Sequence, residues 1–483
     1  MSRINTNVSS MVAVRVLNQN TSSLQTSLER LSTGYRINSG KDDPSGLIAS
    51  ESLQSEQAAT SAAISNAQRA DSIIGTAEGS LAEVSNLLVS LQGLVGSSAN
   101  AAGLSQDEKD ANQLQVDSIL STINRISNSS SFEGTKLLNG TFDYTTSSLG
   151  TTSAFTSVSI NSAKVATSGP LAVTVTVISS AQTGQLDFLG SSAGLNGAAT
   201  LAVAGNNGTV QLSFASSTKS SAIVASLNQF KDSTGVVALL STDNKSIVIN
   251  STGYGSSQFV SVSSNNTTSF QTQNKNAVVV GSNYGRNAEL TVNGTTAQSN
   301  GLSVKAVFGD LLDINFTLNS AMNTNGAAKT FGITGGGATF SLGAQVNTAN
   351  TASIGISSVN TASIGKVVSN GTVLTLSDLG SGKIAAVNSG DTNLAQQIVN
   401  QAINDVSVLR GRLGAFQKNV LGSTVNSLNV ALENVASSNS AIRDTDFASE
   451  TSNLTRSQIL VQAATSVLSQ ANQSPQAVLK LLG

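Results

Sequence analysis

Chemistry needs side chains that can take a proton, supply an electron pair or hold a metal, and in this chain of 483 residues the choice is narrow. There is no cysteine and no histidine, so a thiolate nucleophile, an imidazole base and the two commonest zinc ligands are all missing. The histidine pair of a helical zinc-protease motif cannot be built. Carboxylates remain. Their densest grouping is Lys41-Asp42-Asp43, which has the composition of a cation site. Followed by Pro44 and Gly46, however, it matches a turn whose carboxylates accept from backbone amides, and that is the role expected of it. Asn265-Asn266-Thr267-Thr268 holds glycosylation-type triplets in a region so rich in Ser, Thr and Asn that such triplets arise by chance. The reading is of a protein with no catalytic residues, no metal and no cofactor.

Composition narrows the partners in the same way. Charged residues are 11% of the chain with a formal net charge of -2, and no cluster of Lys and Arg stands ready to displace phosphate counterions, so no nucleic-acid partner is expected. Aromatics are only 4% against 39% hydrophobic residues, which suits helical rods and thin sandwiches of Leu, Ile, Val and Ala better than a ring-lined pocket. No run approaches the ~18 apolar residues of a membrane span, so no membrane insertion is expected. The start, Met1 to Asn7, lacks the apolar segment of a secretory signal; export, if it occurs, takes another route.

The elements that must position these residues are helical at both ends. Ala70, Ile74, Ala77, Leu81, Val84, Leu88, Leu91 and Val95 recur at steps of four and three, a heptad seam predicting one long helix over 48 to 95. At about 1.5 Å per residue that is a rod of roughly 70 Å, which needs partner helices along its length. Before it, Ile4, Val8, Met11, Leu17, Leu24, Leu28 and Leu31 mark a first helix, and residues 33 to 46 an irregular connector. After it, Ser105 to Glu108 has the form of a capping box opening a shorter helix marked by Val116, Ile119, Ile123 and Ile126.

The period then changes. Between about 142 and 390, Val173 to Val177, Val210 to Phe214 and Ile247 to Ile249 alternate as half-buried strands do, and Asn206-Asn207-Gly208 and Asn293-Gly294 predict tight hairpin turns. A ten-residue near-repeat, Asn350 to Gly355 and Asn360 to Gly365, reads as local duplication rather than a solenoid. Helical spacing returns with Val399, Ala402, Val406, Leu409, Leu413, Phe416 and Val420, and resumes one residue out of phase at Val425, Leu428, Leu432 and Val435. A last helix carries Phe447, Leu454, Val461, Ala464, Leu468 and Ala471 on one face, and Pro475 is expected to leave only a short tail. The fold class is therefore mixed and segregated: a terminal α-helical coiled-coil rod with an inserted β-rich region. Ordering terminal residues costs about 1–2 kcal/mol each, more than two narrow seams readily offset, so the ends are expected to be disordered in a free subunit and to fold against neighbouring copies.

The terminal segments closely resemble bacterial flagellin. The resemblance rests on Ile4-Asn5-Thr6-Asn7, the run from Leu31 to Asp43, Phe132-Glu133-Gly134, the stretch Ile442 to Glu450, Ala471-Asn472-Gln473 and Leu481-Leu482. It implies a flagellin-like D0/D1 rod and a structural subunit that polymerises into the extracellular filament for swimming motility. By the same likeness the chain is exported by the flagellar type III route with an export chaperone and meets filament cap and hook-associated proteins. The domains it implies are a core helix and spoke over 1–46, rod helices and the start of a hairpin region over 47–140, a surface-exposed variable region over 141–390, a C-terminal rod helix over 391–441 and a core helix over 442–483. Ile4, Val8, Met11, Leu17, Leu24, Leu28, Leu31, Phe447, Leu454, Val461, Leu468, Leu481 and Leu482 would then make the polymer contacts. Ala70, Ile74, Leu81, Val84, Leu88, Leu91, Val399, Val406, Leu413, Phe416 and Leu428 would pack the rod. A hook-filament junction protein and a filament subunit with an adhesive middle are the alternatives. One departure stands out. Relatives that activate Toll-like receptor 5 carry an arginine-containing motif before a Ser-Ala-Asn turn, and an Arg and a Glu on the next helix. Aligned on Ser98-Ala99-Asn100 and Phe132, this chain has Ser90, Gln92, Gln115 and Ile119 at those positions and keeps Leu94, which implies weak receptor binding at most.

Overall fold

The computed structural model describes residues 6–100, 103–147, 154–165, 169–190, 194–242, 245–309, 311–369, 372–388 and 391–482, with side chains to 473 in the last stretch. These fall into two compact units, Met1–Ala70 with Ser341–Asn350 and Asn419–Gly483, and Asp71–Phe340 with Thr351–Lys418.

Helices dominate both ends, as the heptad spacing predicts: α1 Val8–Thr33, α2 Pro44–Ser98 and α3 Gln106–Ser129. α2 begins where its local chemistry dictates. Pro44 brings a pre-set φ and lacks an N–H that a first turn would leave unpaired anyway, and Asp43 Oδ1 accepts from Gly46 N at 2.9 Å. The expected capping box opens α3: Ser105 Oγ accepts from Glu108 N at 3.3 Å while Glu108 Oε2 accepts from Ser105 N at 2.7 Å. The inward stripe of α3 differs from expectation. It is Gln113, Val116, Leu120, Ile123 and Ser127, with Ile119 and Ile126 only half-buried. Gln113 lies inside because Nε2 donates to Leu379 O at 2.8 Å and Oε1 accepts from Val387 N at 2.8 Å, and Ser127 because its hydroxyl donates to Leu138 O at 2.8 Å. Polar residues with fully used hydrogen bonds thus occupy seam positions that an apolar count skips.

The hairpin that follows, β1 Ser131–Phe132 and β2 Thr135–Lys136, turns through Glu133 at φ 45° and Gly134 at φ 85°, a type I′ geometry matching strand twist. Asn293 and Gly294, at φ 50° and 81°, do the same farther on. The next strands are β3 Thr145–Ser147, β4 Phe155–Ala163, β5 Leu171–Ser179, β6 Thr183–Phe188, β7 Ala199–Gly205 and β8 Gly208–Phe214. Helices α4 Ser220–Gln229 and α5 Lys231–Thr234 precede β9 Val236–Leu240, β10 Ile247–Tyr254, β11 Phe259–Ser264, β12 Thr272–Gln273 and β13 Ser282–Tyr284. Then come β14 Glu289–Val292, β15 Thr295–Thr296, β16 Gln298–Asn300, β17 Ser303–Phe308, β18 Leu312–Leu318 and β19 Ala328–Gly335.

These strands build two sandwiches, one inserted in the other. The first pairs the sheets β15-β14-β5-β19-β3 and β16-β17-β18-β4 around Val173, Val175, Val177, Ile314, Phe316 and Phe331. The second pairs β12-β6-β10-β9 with β13-β11-β7-β8 around Leu186, Leu201, Ile223, Ile247, Ile249 and Phe270. The second is spliced between β5 and β14, which are neighbours in the first; reciprocal Gln182–Arg286 backbone bonds at 2.8 and 2.9 Å pin its two ends together. The near-repeat takes two shapes: Thr351–Ile354 is a strand, whereas 361–365 is turn structure. Ile354 and Ile364 are nonetheless both buried.

The chain returns through α6 Thr392–Ala415, a π-helical stretch Phe416–Gly422, α7 Ser423–Arg443 and α8 Phe447–Leu482. The π turn accounts for the seam that slips by one residue between Val420 and Val425. A wider turn absorbs one extra residue, so both halves keep their apolar stripe without breaking the helix. Pro475 does not end α8 as expected. A proline cannot donate to the carbonyl four residues earlier, here Ala471 O, and that oxygen instead accepts from Asn7 Nδ2 at 2.8 Å.

Candidate assembly surfaces

α1 and α8 run antiparallel. Besides the Asn7–Ala471 bond, Ser10 Oγ donates to Asn472 Oδ1 at 2.8 Å, Asn20 Nδ2 to Leu460 O at 3.4 Å, and Arg30 lies 3.7 Å from Glu450. The residues buried between them are small or polar: Ala13, Ser27, Glu450, Ser457 and Ala464. Leu17, Leu24, Leu31, Leu454, Val461 and Leu468 are half-buried. Val8 (61% exposed), Met11 (66%), Leu28 and Phe447 (56%) face outward, joined by Val12, Val14, Val16, Ile459, Leu460 and Val467. A two-helix pair carrying so much exposed aliphatic surface is unfinished as a solvated object. Ile4 lies outside the described residues; Leu481 and Leu482 belong to α8, with side chains outside them.

The rod-packing residues lie as follows. Ala70, Ile74, Leu81, Val84, Leu88, Leu91, Val399, Val406, Leu413 and Phe416 are buried, and Leu428 is half-buried. Polar pairs flank the apolar stripe: Arg410 donates to Glu78 Oε1 at 2.7 and 3.0 Å, and Gln417 Nε2 to Asp71 Oδ1 at 3.1 Å. Of the receptor-aligned positions, Ser90 and Gln115 are exposed, while Gln92, Leu94 and Ile119 are half-buried. Gln92 Nε2 is already engaged with Asn400 Oδ1 at 2.9 Å.

The connector is less irregular than its sequence. Ile37 is buried, Tyr35 bridges Asp444, Arg36 N donates to Arg443 O at 2.7 Å, and the Arg443 guanidinium lies 4.4 Å from the Tyr35 ring centroid. Asp42 acts as the capping carboxylate: Oδ2 accepts from Ser39 N at 2.8 Å, Ser39 Oγ at 2.9 Å and Asn38 N at 3.2 Å. Those Ser39 bonds hold its pKa below the ordinary 3.8, and the bonds from Gly46 and Ser45 do the same for Asp43. A depressed carboxylate contributes stability that is present above the unfolded pKa and lost as pH falls through the folded one. Asp42→Asn is accordingly expected to be less stable than the parent chain at pH 7, with the difference closing below about pH 3.8. Urea denaturation at pH 7 and pH 2.5 checks this; a gap that persists at the lower pH refutes it.

One cluster gave no sequence signal. Arg412, on α6, donates to Asn161 Oδ1 at 2.6 Å and Gly355 O at 2.5 Å, and Asn161 Nδ2 donates to Asp313 Oδ1 at 2.9 Å. Burial pushes the Asp143 carboxyl up, opposed by the Tyr144 backbone and by the positive charge of Arg412. Burial also pulls the Arg412 guanidinium down, against the attraction of Asp313 and Asp143. The cluster fastens a rod helix to the first sandwich. A lone arginine at a helical position facing two distant aspartates has no pattern in sequence.

The same chain matches two models of one family. Residues 4–143 match the bacterial flagellin N-terminal helical region and residues 396–482 the bacterial flagellin C-terminal helical region. It is also 30% identical over 480 residues to Flagellin B of Vibrio cholerae, covering 99% of each chain. The chain belongs to the bacterial flagellin family. Flagellin B of Vibrio anguillarum is 29% identical over 481 residues, again across 99% of both chains, so the likeness runs through the middle as well as the ends. Among solved structures, FliC from Burkholderia pseudomallei is similar at 18% identity over 72% of this chain and 98% of that one, with a TM-score of 0.23. This flagellin is a structural subunit of the extracellular flagellar filament. Among the described residues no helix is long and apolar enough to cross a membrane.

Proposed function

We propose that this flagellin polymerises through α1 and α8, with residues 1–46 and 442–483 forming the filament core, 47–140 and 391–441 the rod around it, and 141–390 facing outward. The observation that supports this is the apolar surface left on the α1–α8 pair, where Val8, Met11, Leu28 and Phe447 are at least half exposed among the described residues. Neighbouring copies cover it, and an export chaperone shields the same residues before assembly. The role is structural rather than enzymatic, in keeping with a chain that has neither His nor Cys. Seeding heat-dissociated monomer with filament fragments tests the reading. The full chain is expected to sediment as filaments, and a chain lacking residues 1–40 and 447–483 to stay in the supernatant. Filament growth by the shortened chain would overturn it.

The receptor-aligned positions support weak Toll-like receptor 5 binding. Ser90 and Gln115 offer no charge, and Gln92 is engaged within the rod. Losing a desolvated arginine contact typically costs about 2 kcal/mol or more. A receptor reporter line is expected to need at least about tenfold more of this flagellin than of an activating one. An equal response would refute the assignment.

A further inference from the structure

Asparagine followed by glycine carries a reaction of its own, because a glycine N–H with no Cβ beside it can reach back to the asparagine side-chain carbon. Seven such pairs occur in this chain, beginning at Asn139, Asn196, Asn207, Asn293, Asn300, Asn325 and Asn370. Sequence alone treats them alike, and the fold separates them. Ring closure needs a carboxamide free to turn and a glycine nitrogen free to attack, so a hydrogen bond on either group must first be broken. Asn293 is held at both ends of its carboxamide: Oδ1 accepts from Thr174 N at 2.8 Å and Nδ2 donates to Ala172 O at 3.3 Å. At Asn325, Oδ1 accepts from Ser180 N at 2.8 Å and Gly326 N donates to Val177 O at 2.8 Å. Asn139 Oδ1 accepts from Thr141 N at 3.1 Å and from Thr141 Oγ1 at 2.7 Å, and Asn207 Nδ2 donates to Asp232 O at 3.0 Å. After Asn300, Gly301 N donates to Asn287 Oδ1 at 2.9 Å. Asn370 lies outside the described residues.

Among the described pairs, Asn196-Gly197 is the one that leaves both the carboxamide and the glycine N–H without a partner. Asn196 is exposed at a bend, so water is at hand. The backbone is anchored on either side of the pair: Leu195 N donates to Thr218 O at 3.1 Å, Leu195 O accepts from Ser217 N at 2.8 Å, and Ala198 O accepts from Asn266 Nδ2 at 3.1 Å. Asn196 also borders a cleft of about 430 Å³ in the second sandwich, beside Thr267, Thr268 and Ser269, and none of the described residues lining it is charged. We propose that Asn196 is a self-modifying site, converting to aspartate and isoaspartate without an enzyme. Gly197 N forms a bond to Asn196 Cγ, its proton passes through water to Nδ2, and the Cγ–Nδ2 bond breaks as ammonia leaves. Water then adds to one of the two carbonyl carbons of the cyclic imide. Breaking the new N–Cγ bond gives aspartate, and breaking the original peptide bond gives isoaspartate; the sum is one water consumed and one ammonia released. Either product puts a carboxylate, ionised at neutral pH, on the rim of the uncharged cleft. Ammonia lost to bulk solvent does not return, so the charge accumulates and marks the age of the subunit.

The test keeps full-length monomer for days in mildly alkaline buffer, digests it and follows each Asn-Gly peptide by mass spectrometry with the two isomers resolved. Asn196 is expected to convert at least about tenfold faster than Asn293 and Asn325, the scale of freeing one or two hydrogen bonds before ring closure. In urea the rates should converge, because the bonds that protect the other pairs are gone. Asn196→Gln, whose longer side chain must close a larger ring, should lose the acidic species that ion exchange resolves in the parent chain. Conversion of Asn293 or Asn325 as fast as that of Asn196 in the folded chain overturns the site. So does a lead for Asn196 that persists undiminished in urea, since neighbouring sequence rather than the fold would then set it. Aspartate without isoaspartate overturns the imide route.

Discussion

Replacing Leu468 by Asp is expected to abolish seeded filament growth while the sandwiches and rod stay folded. Leu468 sits half-buried on the inward stripe of α8, one turn beyond buried Ala464, where α1 passes antiparallel. A carboxylate there has no cation to pair with along a stripe made of Leu454, Ser457, Val461, Ala464 and Ala471. Leaving a charge in such a seam costs several kcal/mol. In a polymer every added subunit bears that cost, and each ~1.4 kcal/mol raises the concentration needed for growth tenfold. A loss of even ~3 kcal/mol moves that threshold by more than ~100-fold. The measurement is the sedimentable fraction after seeding, with Leu468→Ala as a milder comparator and far-ultraviolet melting as the fold control. Normal filaments from the Asp variant would refute the assignment of α8 to the polymer contact.

Arg412→Ala is expected to give the largest loss of monomer stability of any single change considered. The substitution strands Asn161 Oδ1 and Gly355 O without their donor, and leaves Asp143 without the positive charge that opposes the effect of its burial. Removing one partner from such a buried arrangement typically costs about 3–5 kcal/mol. The dependence on pH is distinctive. Asp143 already has a folded pKa above the unfolded 3.8, so its ionised form is disfavoured in the fold, and stability is gained as pH falls through the folded value. Without Arg412 that pKa rises further. The variant should therefore recover part of its deficit as pH falls from 7 to 4, just above the unfolded value, whereas the Asp42→Asn gap closes only below about pH 3.8. Urea midpoints at the two pH values decide it; a deficit independent of pH would remove Asp143 from the account.

Which parts of this molecule were legible beforehand follows from how far each signal extends along the chain. Heptad spacing is local and repeats, so α2, α6 and α7 were readable from Ala70 to Val95 and from Val399 to Val435, and even the π turn left its mark as the one-residue slip after Val420. Turn chemistry is more local still, and Ser105 to Glu108, Asn293-Gly294 and the Asp42 cap behaved as their side chains dictate. Three features depended on partners far away in sequence. Gln113 became a core residue because the carbonyl of Leu379, 266 residues on, reached it. Pro475 stayed helical while Asn7, 464 residues from Ala471, took over the Ala471 carbonyl that the proline left free. Arg412 found Asn161 and two half-buried carboxylates that no spacing rule connects to it. The division of the middle into two nested sandwiches was likewise decided in three dimensions, when β5 and β14 paired across the inserted strands. By itself the sequence determined the helical ends, the strand-rich middle and the family, because periodicity and motif are properties of neighbouring residues. The tertiary structure alone decided which polar groups are buried and which faces stay open, because satisfying a buried hydrogen bond requires a partner that only the fold brings near.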